Sequence, residues 1–502
     1  MSELQRFPQL EYRGHGSCTS GYCEYDTLNF TSVTQLHKCR DPKKCVTTTD
    51  KMFNQRHLVV ALKDHIMTTA WTLDGMSLVP QGKNYIAVSH VWSDGTGAGA
   101  WNAGHVNQCL WSYFIDIARC LGCDGVWWDT VCIPQDKAVR SIALNNMHHN
   151  YAAAKCTVVH DLYLAGIQWK SDGSPCIALV LSPWFTRGWT ALELLLSKRV
   201  FIIFRQGDGY ILKDLEKEVL ANHRLLHSHA HWVATDAVKC LRYANNSFGS
   251  ASKLLSVLQS RHTSWSRDQS IIAGLMCGLT DHASLTEQDT TKRILVKIGN
   301  ICQNSLLHNL PTMSDPHFSW CPPRFADLPP GGRSGSLRVN SNGTLFGCWE
   351  ILWIGPSINV NKRVIWPSSA DMCVRAHVQS ALQDYDNHAI LTCKSYDNQG
   401  LLVRLKRAFF SYQRPTFGGR WKDFYPPSSD LYCKYIGGVN FIPPNERGSE
   451  GRLELDVVIG YDPRVIEDVG VKDWPIPRLL NRPQLRRSQA QGNWSSENAS
   501  DQ

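Results

Sequence analysis

Between Tyr85 and Phe204, short β-branched runs alternate with longer amphipathic ones, and this alternation restricts the chain to a small set of folds. YIAVSHVW is followed by HVNQCLWSYFIDIARCLG and then by GVWWDTVCIP. In the middle run Val106, Leu110, Tyr113, Phe114, Ile117 and Leu121 recur at helical spacing and define one apolar face. A second helix is expected around Ile142, Met147, Tyr151 and Ala154, and then a strand in CTVVHDLYLA. Ser182 and Pro183 follow as the cap and first turn of another helix, and VFIIF at Val200 to Phe204 closes the series. Strands apolar on both faces predict an α/β fold, a parallel sheet covered by helices on both sides.

The flanking sequence has different periods. Residues 1–60 carry Cys18, Cys23, Cys39 and Cys45 with little periodicity, which predicts an irregular Cys-rich leader; the sheet domain is placed at 61–210. Helical runs such as ASKLLSVLQS and RILVKIGNICQNSLL predict a helical region over 211–310. Pro and Gly crowd 311–336, which predicts a connector. From 337 to 480, alternating runs such as LFGCWEILWI, HAILTCK and LELDVVIGYDP predict an antiparallel β-rich domain. The polar end, 481–502, is expected as a disordered tail.

Charge narrows the function classes. Lys and Arg number 52 against 44 Asp and Glu, a net +8 over 502 residues, so no strong field draws the chain to nucleic acid. No apolar run reaches membrane-spanning length, and MSELQRFPQLEYRGHG lacks the apolar stretch of a secretory signal. A cytoplasmic protein with reduced thiols, no membrane span and no nucleic-acid partner is expected.

Ligands of open parallel sheets bind beyond the carboxyl ends of the strands, so residues at those ends are the informative ones. The first strand ends in Ser89-His90-Val91-Trp92-Ser93-Asp94-Gly95, followed by a Gly-rich turn that matches neither common phosphate-binding loop. The second ends in Trp127-Trp128-Asp129-Thr130-Val131-Cys132. Asp129 in so apolar a run requires a partner, either as a structural carboxylate or as part of a site. In SPWFTRGWTALELLLSKR, Trp189 and Glu193 lie one helical turn apart, with Glu193 either on a solvated face or in a site.

Taken in order, YIAVSHVWSDG, WWDTVCIPQD, MHHNYAAAK and SPWFTRGWTALE resemble the heterokaryon-incompatibility (HET) domain of filamentous fungi. The likeness spans about residues 85 to 205, with His90 where Tyr is usual, Ser93 where Gly is usual and Leu192 where Gln is usual. HET domains are in turn similar to TIR domains, flavodoxin-like modules of immunity and regulated cell death. The resemblance implies a TIR-like sheet in which Trp189-Thr190-Ala191-Leu192-Glu193 matches the glutamate element of NAD hydrolysis, with Thr in place of Cys. It implies Glu193 as the catalytic residue, Ser89, Trp92, Ser93, Asp94, Asp129 and Trp189 as substrate-binding residues, and NAD as substrate rather than cofactor. It also implies a protein partner or homo-oligomer for activation. The alternative is a non-catalytic interaction module that assembles signalling complexes.

Soft thiolates and an imidazole suit tetrahedral zinc, which would supply folding energy to a leader with few apolar residues. Four of Cys18, Cys23, His37, Cys39 and Cys45 are the candidate ligands, with ordinary reduced cysteines as the alternative. His223, His227 and His231 recur four apart and are read as surface or packing residues. Cys132, in an apolar strand end, is expected to be an unreactive thiol.

Overall fold

The computed structural model describes residues 33–49, 51–64, 66, 68–97, 105–134, 136–221, 229–244, 248–279, 285–331, 335–353, 364–365, 372–384, 387–392, 399–405, 431–441 and 453–460. Cys18, Cys23, His223, His227 and the expected tail therefore lie outside the described residues.

The first sheet has six strands: β1 (Trp71–Thr72), β2 (Tyr85–His90), β3 (Gly125–Trp128), β4 (Cys156–His160), β5 (Val200–Gln206) and β6 (Gly209–Asp214). Their order is β1-β3-β2-β4-β5-β6, with β3, β2, β4 and β5 parallel and an antiparallel strand at each edge. Counted along the chain, the parallel strands run 2-1-3-4, the order of doubly wound flavodoxin-like sheets, whose switch point falls between the first and third. Here that point lies between β2 and β4. Every residue of β2, β3 and β4 is buried, as strands covered on both faces must be.

Helices α1 (Gln55–Lys63), α2 (Gln108–Cys120), α3 (Asp129–Cys132), α4 (Lys137–Ala153), α5 (Leu162–Gly166), α6 (Ser174–Leu181), α7 (Pro183–Thr186) and α8 (Gly188–Leu196) surround the sheet. Ser182 caps α7 by accepting from the Phe185 N–H, with Pro183 at the first position, as the sequence predicts. Two boundaries differ from expectation. LYLA leaves the strand and forms α5, because Asp161 accepts from the Leu164 N–H and starts a new turn. Residues 211–214 belong to the β5–β6 hairpin, so the helical region begins later than 211.

That region comprises α9 (His229–Arg242), α10 (Ala251–Leu258), α11 (Ser266–Met276) and α12 (Glu287–Ile298). It packs directly on α8: the Gly188 N–H donates to His262 O at 2.8 Å, and the His262 N–H returns to Thr186 O at 2.7 Å. A Cβ on Gly188 would stand 2.5 Å from Thr263 Cγ2, so glycine permits this approach.

The second sheet contains β7 (Asn300–Cys302), β8 (Ser336–Val339), β9 (Leu345–Trp353), β10 (Val364–Ile365), β11 (His388–Thr392), β12 (Gln399–Leu405), β13 (Leu431–Phe441) and β14 (Leu453–Ile459). Strands β9, β11, β12, β13 and β14 pair in a closed ring, antiparallel except for β13 with β14, which makes a small barrel. Residues 311–336, expected as a connector, hold Trp320, Cys321, Phe325 and Leu328 in the same continuous core as the first sheet, so the break in composition is not a break in packing. Strand β7, directly after α12, pairs with β8 across that segment.

Candidate functional site

The carboxyl ends of β2, β3 and β4 carry three linked polar groups. In the first, the Trp184 indole N–H donates to Ser89 Oγ at 2.6 Å, and Ser89 Oγ–H donates to Glu193 Oε2. Glu193 is 7% exposed, so it lies inside the molecule rather than on a solvated face of the leucine-rich helix. Burial pushes its carboxyl up to about 7, against the Ser89 hydrogen bond that favours the anion. The Tyr151 hydroxyl faces the same carboxyl and donates to Val88 O at 3.2 Å.

The second group is an ion pair. His90 Nε2 stands 2.5 Å from Asp129 Oδ1, while the Trp92 indole donates to Asp129 Oδ2 at 2.9 Å. Burial opposes the His90 charge, yet Asp129 raises its pKa overall; Asp129 is held low by His90 and by N–H donors despite its own burial. The Thr130 N–H adds a bond at 2.6 Å, which follows from Asp129 opening the α3 turn. The requirement that this Asp be paired is thus met. Its charge also reaches Glu193, where Asp129 raises and His90 lowers the carboxyl pKa.

The third group was missed by sequence reasoning. His160 ends β4, and its Nδ1 meets Thr96 Oγ1 at 2.9 Å. Its Nε2 is buried with no hydrogen-bond partner among the described residues, and burial holds the ring well below the usual imidazole range, hence neutral. The strand-end rule, applied to CTVVH as it was to the first two strands, identifies this residue. Asp161 accepts from the N–H groups of Leu164 and Trp184, and burial lifts its carboxyl to about 6.

Ser89, Trp92 and Asp129 thus join one cluster around His90 and Glu193. Asp94 stands beside it as a staple, accepting from the Thr96 N–H at 2.8 Å and the Leu162 N–H at 3.1 Å. Ser93 is exposed. Trp189 turns elsewhere, its indole donating to Asp268 Oδ2 on α11 at 2.9 Å. Cys132 is buried, and burial pushes its thiol up, as expected.

A separate cluster joins the leader to α2. His37, Cys39, Cys45 and Cys109 present ligand atoms that all lie within 4.8 Å of one another, a donor set able to hold a metal ion. Three of the four are among the expected ligands, and Cys109 is the one missed. It comes from the first turn of α2, 64 residues beyond Cys45, and short-range spacing gives no sign of such a partner.

These features define an α/β domain with a buried polar cluster at the switch point of a flavodoxin-like sheet. Residues 85–163 match the family described as heterokaryon incompatibility protein (HET), and the chain therefore carries a HET domain at those residues. The matched segment contains Ser89, His90, Trp92, Asp129, Tyr151 and His160; Trp184 and Glu193 lie beyond it. No curated protein and no solved structure matches the chain. No helix among the described residues is long and apolar enough to cross a membrane.

Proposed function

We propose that the chain is an effector of fungal heterokaryon incompatibility or regulated cell death whose HET domain hydrolyses NAD in the manner of TIR domains. The observation that carries this reading is the contact of Glu193 with Ser89 beside the His90–Asp129 pair at the switch point. Cleavage of the nicotinamide bond passes through an oxocarbenium-like ribose, which a carboxylate in a low-dielectric site stabilises. Glu193 supplies that charge once deprotonated, and Ser89 orients it. Nicotinamide departs from a cation as a neutral molecule, so no second carboxyl need act as general acid. Trp92, held by Asp129, offers a ring for stacking. Activation comes from a protein partner or from self-association, and the leader cluster holds a structural zinc ion. Release of nicotinamide from NAD by the purified chain, both dilute and forced into oligomers, tests the reading; silence in every state removes it.

One observation favours the alternative, a non-catalytic interaction module. The Glu193 carboxyl is enclosed and already satisfied by Ser89, as a structural acid would be. The same assay separates the two.

A further inference from the structure

The His37, Cys39, Cys45 and Cys109 cluster lies where the leader crosses the connection between β2 and α2. His37 Nδ1 is 3.8 Å from Cys109 Sγ and 3.9 Å from Cys39 Sγ. Ligands on a tetrahedral zinc, at about 2.3 Å for sulfur and about 2.0–2.1 Å for nitrogen, stand roughly 3.5–3.8 Å apart. All three cysteines are free thiols. Three thiolates with one imidazole are a soft set that selects zinc over calcium or magnesium. The Lys38 N–H donates to Cys109 Sγ at 3.1 Å, the outer-shell bond that typically steadies a ligating sulfur.

Around this cluster the leader grips both ends of the connection. At one end, the Leu36 N–H donates to Gly95 O at 3.0 Å. At the other, the Thr48 N–H donates to Val106 O at 2.8 Å, the Gln108 N–H to Val46 O at 3.0 Å, and Asn107 Nδ2 to Leu36 O at 3.0 Å. Gly95 belongs to the turn whose Asp94 and Thr96 hold Leu162 and His160 at the candidate site. A metal joining leader to α2 would therefore act on the turn that borders the site.

We infer that the zinc ion, with Cys109 as its fourth ligand, is a clasp: its binding fixes the leader across Gly95 and Val106–Gln108, and its withdrawal releases the Asp94–Thr96 turn from the end of β2. This rests on the zinc reading above and is independent of any catalytic one.

The test uses the full chain and three measurements other than activity: zinc content, the spectrum of the cobalt-substituted protein, and amide hydrogen exchange at Leu36, Thr48 and Gln108. The expected results are about one zinc per chain, thiolate-to-cobalt absorption that Cys109→Ser abolishes, and exchange at the three amides at least about tenfold faster after chelation. Amides of the β2–β4 ladder should remain protected. If Cys109→Ser folds poorly, Cys45→Ala and chelated wild type give the same reading. A chain without stoichiometric zinc overturns the proposal, as does one whose Cys109→Ser variant keeps its metal. Zinc loss that leaves the three amides unchanged would overturn the clasp while leaving the metal site in place.

Discussion

Ser89 Oγ donates to the Glu193 carboxyl, joining the end of β2 to the middle of α8 across 104 residues of chain. Glu193 is held by a strand residue and pressed among leucines, so the two forms of its carboxyl differ in what they cost the fold. Its folded pKa of about 7 lies above the ordinary 4.5. A raised acid pKa means stability that is fully present below about 4.5 and lost as pH rises through about 7. Relative to Glu193→Gln, which cannot ionise, wild type should lose on the order of 3 kcal/mol across that window. Urea denaturation of both proteins at a series of pH values measures this; parallel profiles would contradict it.

Asp129 balances the charge on His90. In Asp129→Asn the buried His90 imidazole loses the carboxylate that raises its pKa, so its pKa should fall. A cost of about 3–5 kcal/mol is expected from breaking such a pair. Denaturation and titration of His90 by NMR check it: stability within about 0.5 kcal/mol of wild type, with an unchanged His90 titration, would show that the pair contributes nothing.

The parallel sheet with helices on both faces was legible because the run from Tyr85 to Phe204 couples strand-sized apolar blocks to helix-sized amphipathic ones, and βαβ units satisfy both periods. Ser89, Trp92 and Asp129 were legible because each sits where such a block ends. Trp184 and Tyr151 were not, since a tryptophan in SPWF and a tyrosine on an apolar helix face have the same pattern as core residues. Trp189 is placed differently from what its spacing suggests. It shares a helical turn with Glu193, but a helix surface one turn long meets two neighbours here, β2 at Glu193 and α11 at Trp189.

Trp189→Phe should accordingly lose the bond to Asp268, a carboxylate already lifted by burial, and cost about 1.5–3 kcal/mol. If the proposed hydrolysis of NAD occurs at the Ser89–Glu193 cluster, turnover per folded molecule should stay within about twofold, because the Trp189 indole is bonded to α11 instead. A variant of full stability with a raised KM for NAD would instead support the substrate-binding role that the family resemblance implies for Trp189.

Gly95 has φ +85°, and a Cβ there would stand 2.5 Å from Thr34 O in the leader. Gly82 has nearly the same φ, +86°, with nothing within 4 Å of its Cβ position. Gly82→Ala should cost only backbone strain, about 1 kcal/mol, whereas Gly95→Ala adds a clash with main chain and should cost about 2–3 kcal/mol. Equal melting temperatures for the two variants would mean that the leader does not press on this turn.

The proposed hydrolysis of NAD depends on the charge of Glu193 at the switch point, and the most direct measurement is NAD turnover and melting temperature on the same Glu193→Gln protein across pH. A folded variant with turnover about 10²–10³-fold below wild type is expected, together with a wild-type rate that rises with pH through about 7 as the carboxylate forms. A folded variant that turns over NAD as fast as wild type would contradict it.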